Sequence, residues 1–293
     1  MRDRSAVALL CLCVCFSVHT ASPVFSAETI PFGLCPKYNP RIMYQLYQPF
    51  VDYLSENTPY RFEIRLSRIY QDTIERIGGR ELQIASCGPV PYVQASERYP
   101  VRPILRPLNK DGKPYYRGIV VVRQNSPIQH LADLKGKRFA FGPAWSTAGF
   151  TVPMYDLKRA GIGLKDLGGY AFLRHHDSVV NAVLKGKFDA GAVKDVVARQ
   201  YRHEGVRFIH HTDPIPTVPI IIHRTAPKAL VMSVKAALLK LNPRDPNHSK
   251  RMEEWDEEFK YGFIEAVDSD YDEIRKILRS IPIDSGEKGA LRE

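Results

Sequence analysis

Apolar and polar residues follow two different periods along the chain, and these periods predict strands and helices in alternation. Residues 62–66 alternate between apolar and polar side chains, which is typical of a half-covered strand. Residues 40–56 carry apolar side chains at steps of three and four, which is typical of a helix packed on one face. Strands separated by helices of this length favour parallel βαβ units and an α/β fold. The first such series has strands at 30–34, 62–66 and 82–86, a helix at 40–56 and a shorter helix ending at 78–79.

A second α/β series lies between two β-branched runs at 118–122 and 218–222. Its predicted elements are strands at 138–141, 170–173 and 188–193, a helix after residue 147 and a helix at 179–184, and the pattern after 224 is helical to the end. We expect one lobe of residues 118–217, inserted into a second lobe made of 28–117 and 218–293. The two β-branched runs would then be strands that cross a hinge between the lobes. A single large sheet is the structural alternative.

The first 27 residues have a different character from the rest of the chain. Arg2 and Arg4 make a basic start, residues 6–18 are almost entirely apolar, and small residues follow. This arrangement is typical of a secretory signal peptide, so residues 1–27 are expected to be removed on export. The cysteines at 11, 13 and 15 would leave with them. No later segment approaches the apolar length of a membrane-spanning helix, so the sequence predicts a soluble exported protein.

The charge balance restricts the partners that the chain is expected to bind. Lysine and arginine number 42 against 32 aspartates and glutamates, which gives a net charge of +10. An exported basic protein can bind nucleic acid, an anionic surface or a small anion. The basic residues are scattered rather than massed, and no nucleic-acid-binding motif is present, so nucleic acid is not expected.

The segment FGPAWSTAGF, residues 141–150, gives the anion hypothesis a location. It places Ser146 and Thr147 between a predicted strand and a predicted helix. The first turn of a helix has backbone N–H groups without helical partners, and these groups bind anions readily. The plainer interpretation is that the hydroxyls only cap the helix, because serine and threonine are common caps.

Three segments together resemble a known family across nearly the whole mature chain. They are LQIASCGPVPYVQA (82–95), LKGKRFAFGPAWSTAGFTVP (134–153) and HHDSVVNAVLKGKFDAGAV (175–193). Their order and spacing are similar to those of the periplasmic phosphonate- and phosphite-binding proteins of ABC importers. The resemblance implies a two-lobed periplasmic-binding-protein fold of type II, with two hinge-crossing strands, that closes over a small oxyanion. It also implies a periplasmic monomer that serves an ABC permease and ATPase, without a metal or cofactor.

The resemblance also implies which residues hold the oxyanion in one lobe. The family uses a Ser-Thr pair and the helix start behind it, which here are Ser146, Thr147, Ala148 and Gly149. Family members often carry a second serine where this chain has Ala148, so one hydroxyl would be absent although its N–H group would remain.

Three further ligand-binding residues are implied by the same resemblance. A histidine that opens a later helix corresponds to His176, with His175 as the competing choice. Two tyrosines from the other lobe correspond to Tyr70 and Tyr116, and Tyr115 competes with the latter. Each of these residues also has a plain structural interpretation, as a loop histidine or a core tyrosine.

The chain departs from the family where aminoalkylphosphonate receptors carry acids. The corresponding neighbourhoods contain Val196 and Val218, which are apolar. This difference predicts a ligand without an amine, unless Asp195 points into the cleft.

Cys35 and Cys87 each follow the carboxyl end of a predicted strand, where ligands bind in open α/β folds. Three interpretations stay open. The two cysteines form a disulfide, as an oxidising compartment would allow, or they are two inert buried thiols. In the third interpretation, Cys87 or the pair contacts a thiophilic oxyanion such as arsenite.

Two other classes of function compete with import. Ser146, His176 and Asp177 superficially resemble a Ser-His-Asp triad, but Asp177 directly follows the histidine and is poorly placed to orient it. We therefore expect no enzymatic activity. The second rival is a sensor that binds an oxyanion such as arsenite through Cys87 and signals to a membrane histidine kinase.

Overall fold

The structure of the protein is a computed structural model, and it describes residues 27–281. The predicted signal peptide, apart from Ala27, and its three cysteines lie outside the described residues. Among the helices of the described part, none is long and apolar enough to cross a membrane.

Strands and helices alternate through the described chain as the hydrophobic pattern predicts. In chain order the strands are β1 (Thr29–Leu34), β2 (Arg61–Leu66), β3 (Ile84–Ser86), β4 (Val101–Pro107), β5 (Tyr115–Tyr116), β6 (Gly118–Arg123), β7 (Arg138–Phe141), β8 (Gly169–Phe172), β9 (Ala190–Lys194), β10 (Val206–His211), β11 (Ile215–Pro216), β12 (Ile220–His223) and β13 (Phe263–Glu265). The helices are α1 (Pro40–Glu56), α2 (Tyr70–Gly78), α3 (Pro89–Arg98), α4 (Val152–Arg159), α5 (His176–Leu184), α6 (Asp195–Gln200), α7 (Lys228–Leu239), α8 (Pro246–Met252) and α9 (Asp272–Ser280). The prediction that the chain after 224 is helical to its end is wrong at β13, which has only three residues and so no visible alternation.

The strands of the described residues form two large sheets, so the single-sheet alternative is wrong. One sheet has the order β13-β4-β12-β3-β1-β2, and the other has the order β10-β6-β9-β7-β8. Parallel pairs such as β1 with β2 and β7 with β8 are covered by helices, as expected for a two-lobed α/β protein.

A short antiparallel ladder lies where the chain passes between the sheets. It pairs β5 with β11, with Tyr116 opposite Ile215. The β-branched runs themselves belong to β6 and β12, and each lies within one sheet rather than in the ladder. The lobe boundaries given above stay a prediction.

The first lobe fixes two strand ends that matter for the site. β1 and β3 are parallel neighbours, with Leu34 opposite Ser86. The loop after β1 leads into α1, whose start is capped by the side chain of Asn39, which accepts a hydrogen bond from the Ile42 N–H group at 3.2 Å. The residues directly after β1 and β3 are therefore held side by side at the edge of the sheet that faces the other lobe.

Candidate functional site

A small cavity of about 40 Å³ lies between the lobes, beside the carboxyl ends of β1, β3 and β9. This volume is roughly three times the 10–15 Å³ that one water molecule needs, so only a compact group fits. Most of the residues predicted from the sequence line it, namely Cys35, Tyr70, Cys87, Tyr116, Ser146, Thr147, Ala148 and His176. Gly149 does not line it, and neither do the competing choices Tyr115 and His175.

The turn that begins at Ser146 is wider than an ordinary helical turn. The Ser146 carbonyl accepts hydrogen bonds from the N–H groups of both Phe150 and Thr151, at 3.0 and 3.1 Å. Such π-type turns at helix starts are frequent at functional sites. In the described part of the chain, the N–H groups of Thr147 and Ala148 donate to no protein acceptor. Both residues line the cavity, so these two N–H groups are available to an anion there.

The hydroxyl of Ser146 is oriented by two donors. Gly149 N–H donates to the serine oxygen at 3.0 Å, and the Nε2 atom of His176 lies 3.1 Å from the same oxygen. The other ring nitrogen, Nδ1, accepts a hydrogen bond from the Lys194 N–H group at 3.2 Å, so the ring proton must be on Nε2. The Ser146 oxygen therefore accepts twice, and its own proton is left to donate to another acceptor, such as a ligand in the cavity.

This arrangement is the reverse of a catalytic triad. A catalytic histidine would accept the serine proton at Nε2, whereas here Nε2–H donates to Ser146. Asp177 does not orient the ring, because its Oδ2 atom accepts from the Asn39 side chain at 3.4 Å. Burial and the neighbouring Lys194 and Lys37 lower the pKa of His176 to about 3, so the ring is neutral at pH 7. A charged His176, which the sequence left open, does not occur near neutral pH.

The two predicted tyrosines each reach one of the two hydroxyls. Tyr70 lies near Ser146 and Tyr116 lies near Thr147, and all four residues line the cavity. Burial raises the pKa of both tyrosines, so both stay protonated and act as donors. The Thr147 oxygen also accepts from the Val90 N–H group at 2.9 Å, in the first turn of α3. Thr147 therefore caps a helix of the opposite lobe, and the two lobes are joined at the cavity.

Gly149 supports the site from behind. A Cβ atom at this position would lie 2.8 Å from the Cε1 atom of His176 and 2.9 Å from the Cα atom of Gly142. Its N–H group is already used by Ser146. Gly149 thus allows the helix start to approach His176 closely, and the interpretation of its N–H as a ligand donor is not supported by the geometry.

A buried cluster of charges in the cavity was missed by the sequence analysis. Lys37 donates to Asp256 at 2.6 Å and to Glu258 at 3.1 Å, and Lys194 pairs with the other oxygen of Glu258. Lys37, Lys194 and Glu258 all line the cavity. Burial alone would raise the pKa of Glu258, but the two lysines outweigh it and lower the pKa to about 2. The Lys194–Glu258 pair also links β9 of one lobe to the carboxy-terminal part of the other.

The position of Glu258 depends on aromatic packing that no local sequence motif indicates. The rings of Trp255 and Phe259, on either side of it, lie 5.2 and 4.7 Å from the ring of Phe50 in α1. Lys37 and Lys194 were more accessible to prediction, because both lie at the carboxyl ends of strands, where ligands bind in such folds. Glu258 lies in neither a strand nor a helix and carried no such signal.

The residues that were considered as surroundings for a ligand amine are only partly placed at the cavity. Val218 lines the cavity, whereas Val196 is buried elsewhere. Asp195 does not face the cavity, because its carboxylate accepts from Arg199 at 2.9 Å and from the Val196 N–H group at 2.8 Å. The acid that lines the cavity is Glu258, which the sequence analysis did not consider, and the ligand without an amine stays a prediction.

Cys35 and Cys87 are free thiols in the structure and lie against each other at the cavity wall. Hydrogen bonding to Cys35, together with burial, raises the pKa of the Cys87 thiol well above its usual value. Cys87 is therefore protonated near neutral pH. A disulfide between Cys35 and Cys87 stays a prediction.

A larger groove of about 1150 Å³ lies outside the cavity and shares Tyr70 with it. It is lined by Trp145 and Phe172 and by four basic residues, Arg68, Arg174, Lys185 and Lys187. None of the other predicted ligand-binding residues reaches this groove. Tyr70 thus separates a compact polar chamber from a wide, solvent-open surface.

Comparison with known proteins agrees with this geometry. Residues 32–271 match the model of the family described as ABC transporter, phosphonate, periplasmic substrate-binding protein. The fold and the site therefore define the chain as a substrate-binding protein. It belongs to the phosphonate-binding family of periplasmic components of ABC transporters.

Curated relatives are named for related oxyanions. The chain is 29% identical over 191 residues to a probable ABC transporter phosphite binding protein of Prochlorococcus marinus, which covers 62% of this chain and 63% of that protein. It is 25% identical over 182 residues to a phosphate-import protein of Mycolicibacterium smegmatis, covering 58% and 56%. The chain thus matches little more than half the length of these relatives.

Solved structures share the fold over most of the chain. The Prochlorococcus marinus protein PhnD1 in complex with methylphosphonate has a TM-score of 0.77 at 22% identity, covering 86% of this chain and 98% of that chain. A binding protein component of a phosphonate ABC transporter from Pseudomonas aeruginosa has a TM-score of 0.77 at 18% identity, covering 86% and 85%. Both similarities establish the two-lobed fold.

Proposed function

We propose that the protein captures a small tetrahedral phosphorus oxyanion, phosphonate, phosphite or phosphate, for an ABC importer. The observation that carries the proposal is the convergence of donors on a 40 Å³ cavity. The hydroxyls of Ser146 and Thr147, the N–H groups of Thr147 and Ala148, and the hydroxyls of Tyr70 and Tyr116 are the ligand-binding groups. The deprotonated oxygens of an oxyanion accept hydrogen bonds and donate none, so a chamber of donors suits them.

The two lobes share the ligand in this proposal. Ser146, Thr147, Ala148 and His176 come from one lobe, and Tyr70 and Tyr116 come from the other side of the cavity. His176 acts through Ser146, because its Nε2–H group occupies the serine oxygen and directs the serine proton. An anion that accepts from both lobes stabilises the closed form, which is the form that an importer recognises in hinge-closing receptors.

The cavity favours ligands without a long substituent. A volume of about 40 Å³ has room for an oxyanion head but not for an aminoethyl tail. Glu258 offers no free countercharge to an ammonium group, because Lys37 and Lys194 already balance its negative charge. An additional buried ammonium would lack a partner, which is costly.

The remaining features of the proposal follow from membership of the family. The protein works in the periplasm after removal of its signal peptide, as a monomer that delivers its ligand to a permease and ATPase. We expect it not to catalyse a reaction, since Ser146 and His176 have the wrong proton arrangement for a catalytic triad. The sensor alternative, with arsenite at Cys87, finds no support in the comparisons.

Isothermal titration calorimetry on the purified mature protein tests this function. We expect saturable binding of phosphate, phosphite or methylphosphonate at one site per chain, with arsenite and sulfate weaker. Absence of binding by all three phosphorus compounds would contradict the proposal. Tightest binding by arsenite, abolished by Cys87→Ser, would instead support the sensor alternative.

A further inference from the structure

The carboxylate of Glu258 is an unexpected group in an anion-binding cavity. It is buried, with 6% of its side chain exposed, and it lines the same chamber as Ser146 and Thr147. A carboxylate is an acceptor only, so it repels a fully deprotonated oxyanion. It attracts a ligand only when that ligand offers a proton. The site therefore contains both a set of donors and one acceptor.

The charges around Glu258 nearly cancel. Lys37 and Lys194 supply two positive charges, while Glu258 and Asp256 supply two negative charges. The cluster therefore supplies no net positive charge to offset the repulsion between the Glu258 carboxylate and a ligand oxygen that has no proton. A ligand O–H group replaces that repulsion with a hydrogen bond, and this holds for hydrogenphosphate although it has the same charge as sulfate.

We propose, building on the oxyanion-binding function, that Glu258 restricts the cavity to oxyanions that carry a proton on oxygen. In the bound state, the ligand O–H donates to the Glu258 carboxylate. Lys194 and Lys37 keep the carboxylate in place, and the unprotonated ligand oxygens accept from the helix start and the hydroxyls. The ligand class is hydrogenphosphate and the monoprotonated forms of phosphonates and phosphite, and sulfate is excluded because it has no proton near neutral pH.

The groups that face Glu258 come from several elements. Lys37 lies after β1, Lys194 ends β9, and Asp256 accepts from the Glu258 N–H group at 3.1 Å. The other titratable residues that line the cavity are Tyr47, Tyr70, Tyr116, His176, Cys35 and Cys87. The pKa values of His176 and Glu258 are lowered to about 3 and about 2, and burial raises those of the three tyrosines. The pKa of Lys194 is lowered, mainly by burial, and so it shifts towards neutral pH.

Comparing two ligands on the wild-type protein separates ligand protonation from protein titration. Between pH 6 and 9 phosphate always keeps a proton on oxygen, whereas phosphite loses its last one near neutral pH. Titration of Lys194 or any other protein group affects both ligands, so it cancels in the ratio of their affinities. We expect phosphite to weaken relative to phosphate by roughly tenfold per pH unit above its second ionisation. At pH 7 we expect sulfate to bind at least about 100-fold more weakly than phosphate, or about 2.7 kcal/mol.

Glu258→Gln removes the acceptor charge and keeps the size of the side chain. In this variant we expect the phosphite-to-phosphate ratio to become independent of pH and sulfate to gain at least about tenfold relative to phosphate. Glu257→Gln is the matched control, because Glu257 is half-buried, accepts a hydrogen bond from the Tyr261 hydroxyl at 2.6 Å and does not line the cavity. It should behave like the wild type.

The outcomes distinguish this inference from the function on which it rests. If no phosphorus oxyanion binds the wild type, the proposed function is wrong. If oxyanions bind but sulfate matches phosphate, or the wild-type ratio does not change with pH, the function stands and the role of Glu258 is overturned. If Glu258→Gln does not fold, the wild-type series decides alone. If only one phosphorus oxyanion binds, the ratio of its affinity to that of sulfate decides whether the role of Glu258 stands.

Discussion

The sharpest consequence of the site geometry concerns the single substitution Ser146→Ala. The serine proton is directed at the cavity because its oxygen already accepts from Gly149 N–H and His176 Nε2–H. Removing the hydroxyl therefore deletes one hydrogen bond to a charged ligand, which is worth about 1.5–3 kcal/mol. Affinity should fall by about 10- to 150-fold. Thr147→Ala, added to it, removes a second such bond, so the double variant should lose about 100-fold or more.

The same substitution should also lower stability, by a separate and measurable amount. Ser146→Ala leaves two buried donors without their acceptor, which costs about 1–3 kcal/mol of unfolding free energy. Calorimetry with phosphate gives the loss of affinity, and urea unfolding without ligand gives the loss of stability. Ser178→Ala is the matched control, since Ser178 is in the same lobe but does not line the cavity. Unchanged affinity in a folded Ser146→Ala protein would refute the reasoning.

Three further predictions concern the support of the site. Gly149→Ala should destabilise the protein by about 1–3 kcal/mol and weaken ligand binding, because the new Cβ atom would lie 2.8 Å from the His176 ring. Urea unfolding measures the loss of stability, and calorimetry measures the loss of affinity. Unfolding lets His176 regain its usual pKa of 6.5 from about 3, so the unfolded chain binds a proton that the folded one does not. As the pH falls from 6.5 to 5, His176 alone should lower the unfolding free energy by about 1.4 kcal/mol per pH unit, and His176→Asn should reduce the observed slope by that amount. Thiol labelling of the unreduced, unfolded mature protein should find two thiols, from Cys35 and Cys87, and finding none would demonstrate a disulfide.

The fold was largely predictable because its signals are local. The strand and helix periods of residues 29–66 and 138–194 correspond to elements that the structure contains. Strand β13 was not predictable in this way, because three residues cannot display a period. It joins the sheet only through its pairing with β4, which is distant in the chain.

The site was predictable on the side where a family motif exists. Ser146, Thr147 and His176 were assigned through motif segments, and the structure brings all three to one cavity. The tautomer of His176 was not predictable, because it depends on the Lys194 N–H group, which is 18 residues away in the chain. The role of Glu258 could not be predicted for the same reason, because aromatic packing on Phe50 brings it to the cavity from the far end of the sequence.

A competition between methylphosphonate and 2-aminoethylphosphonate at pH 7 tests the central claim most directly. The two ligands share a head group, and the amino compound adds a tail that a 40 Å³ cavity cannot hold. Its amine would also add a buried positive charge that Glu258, already paired with two lysines, cannot balance. The account predicts that methylphosphonate binds at least tenfold more tightly, a difference of about 1.4 kcal/mol. Equal or tighter binding of the amino compound would show that the ligand chamber is larger and more acidic than the cavity described, and would contradict the account.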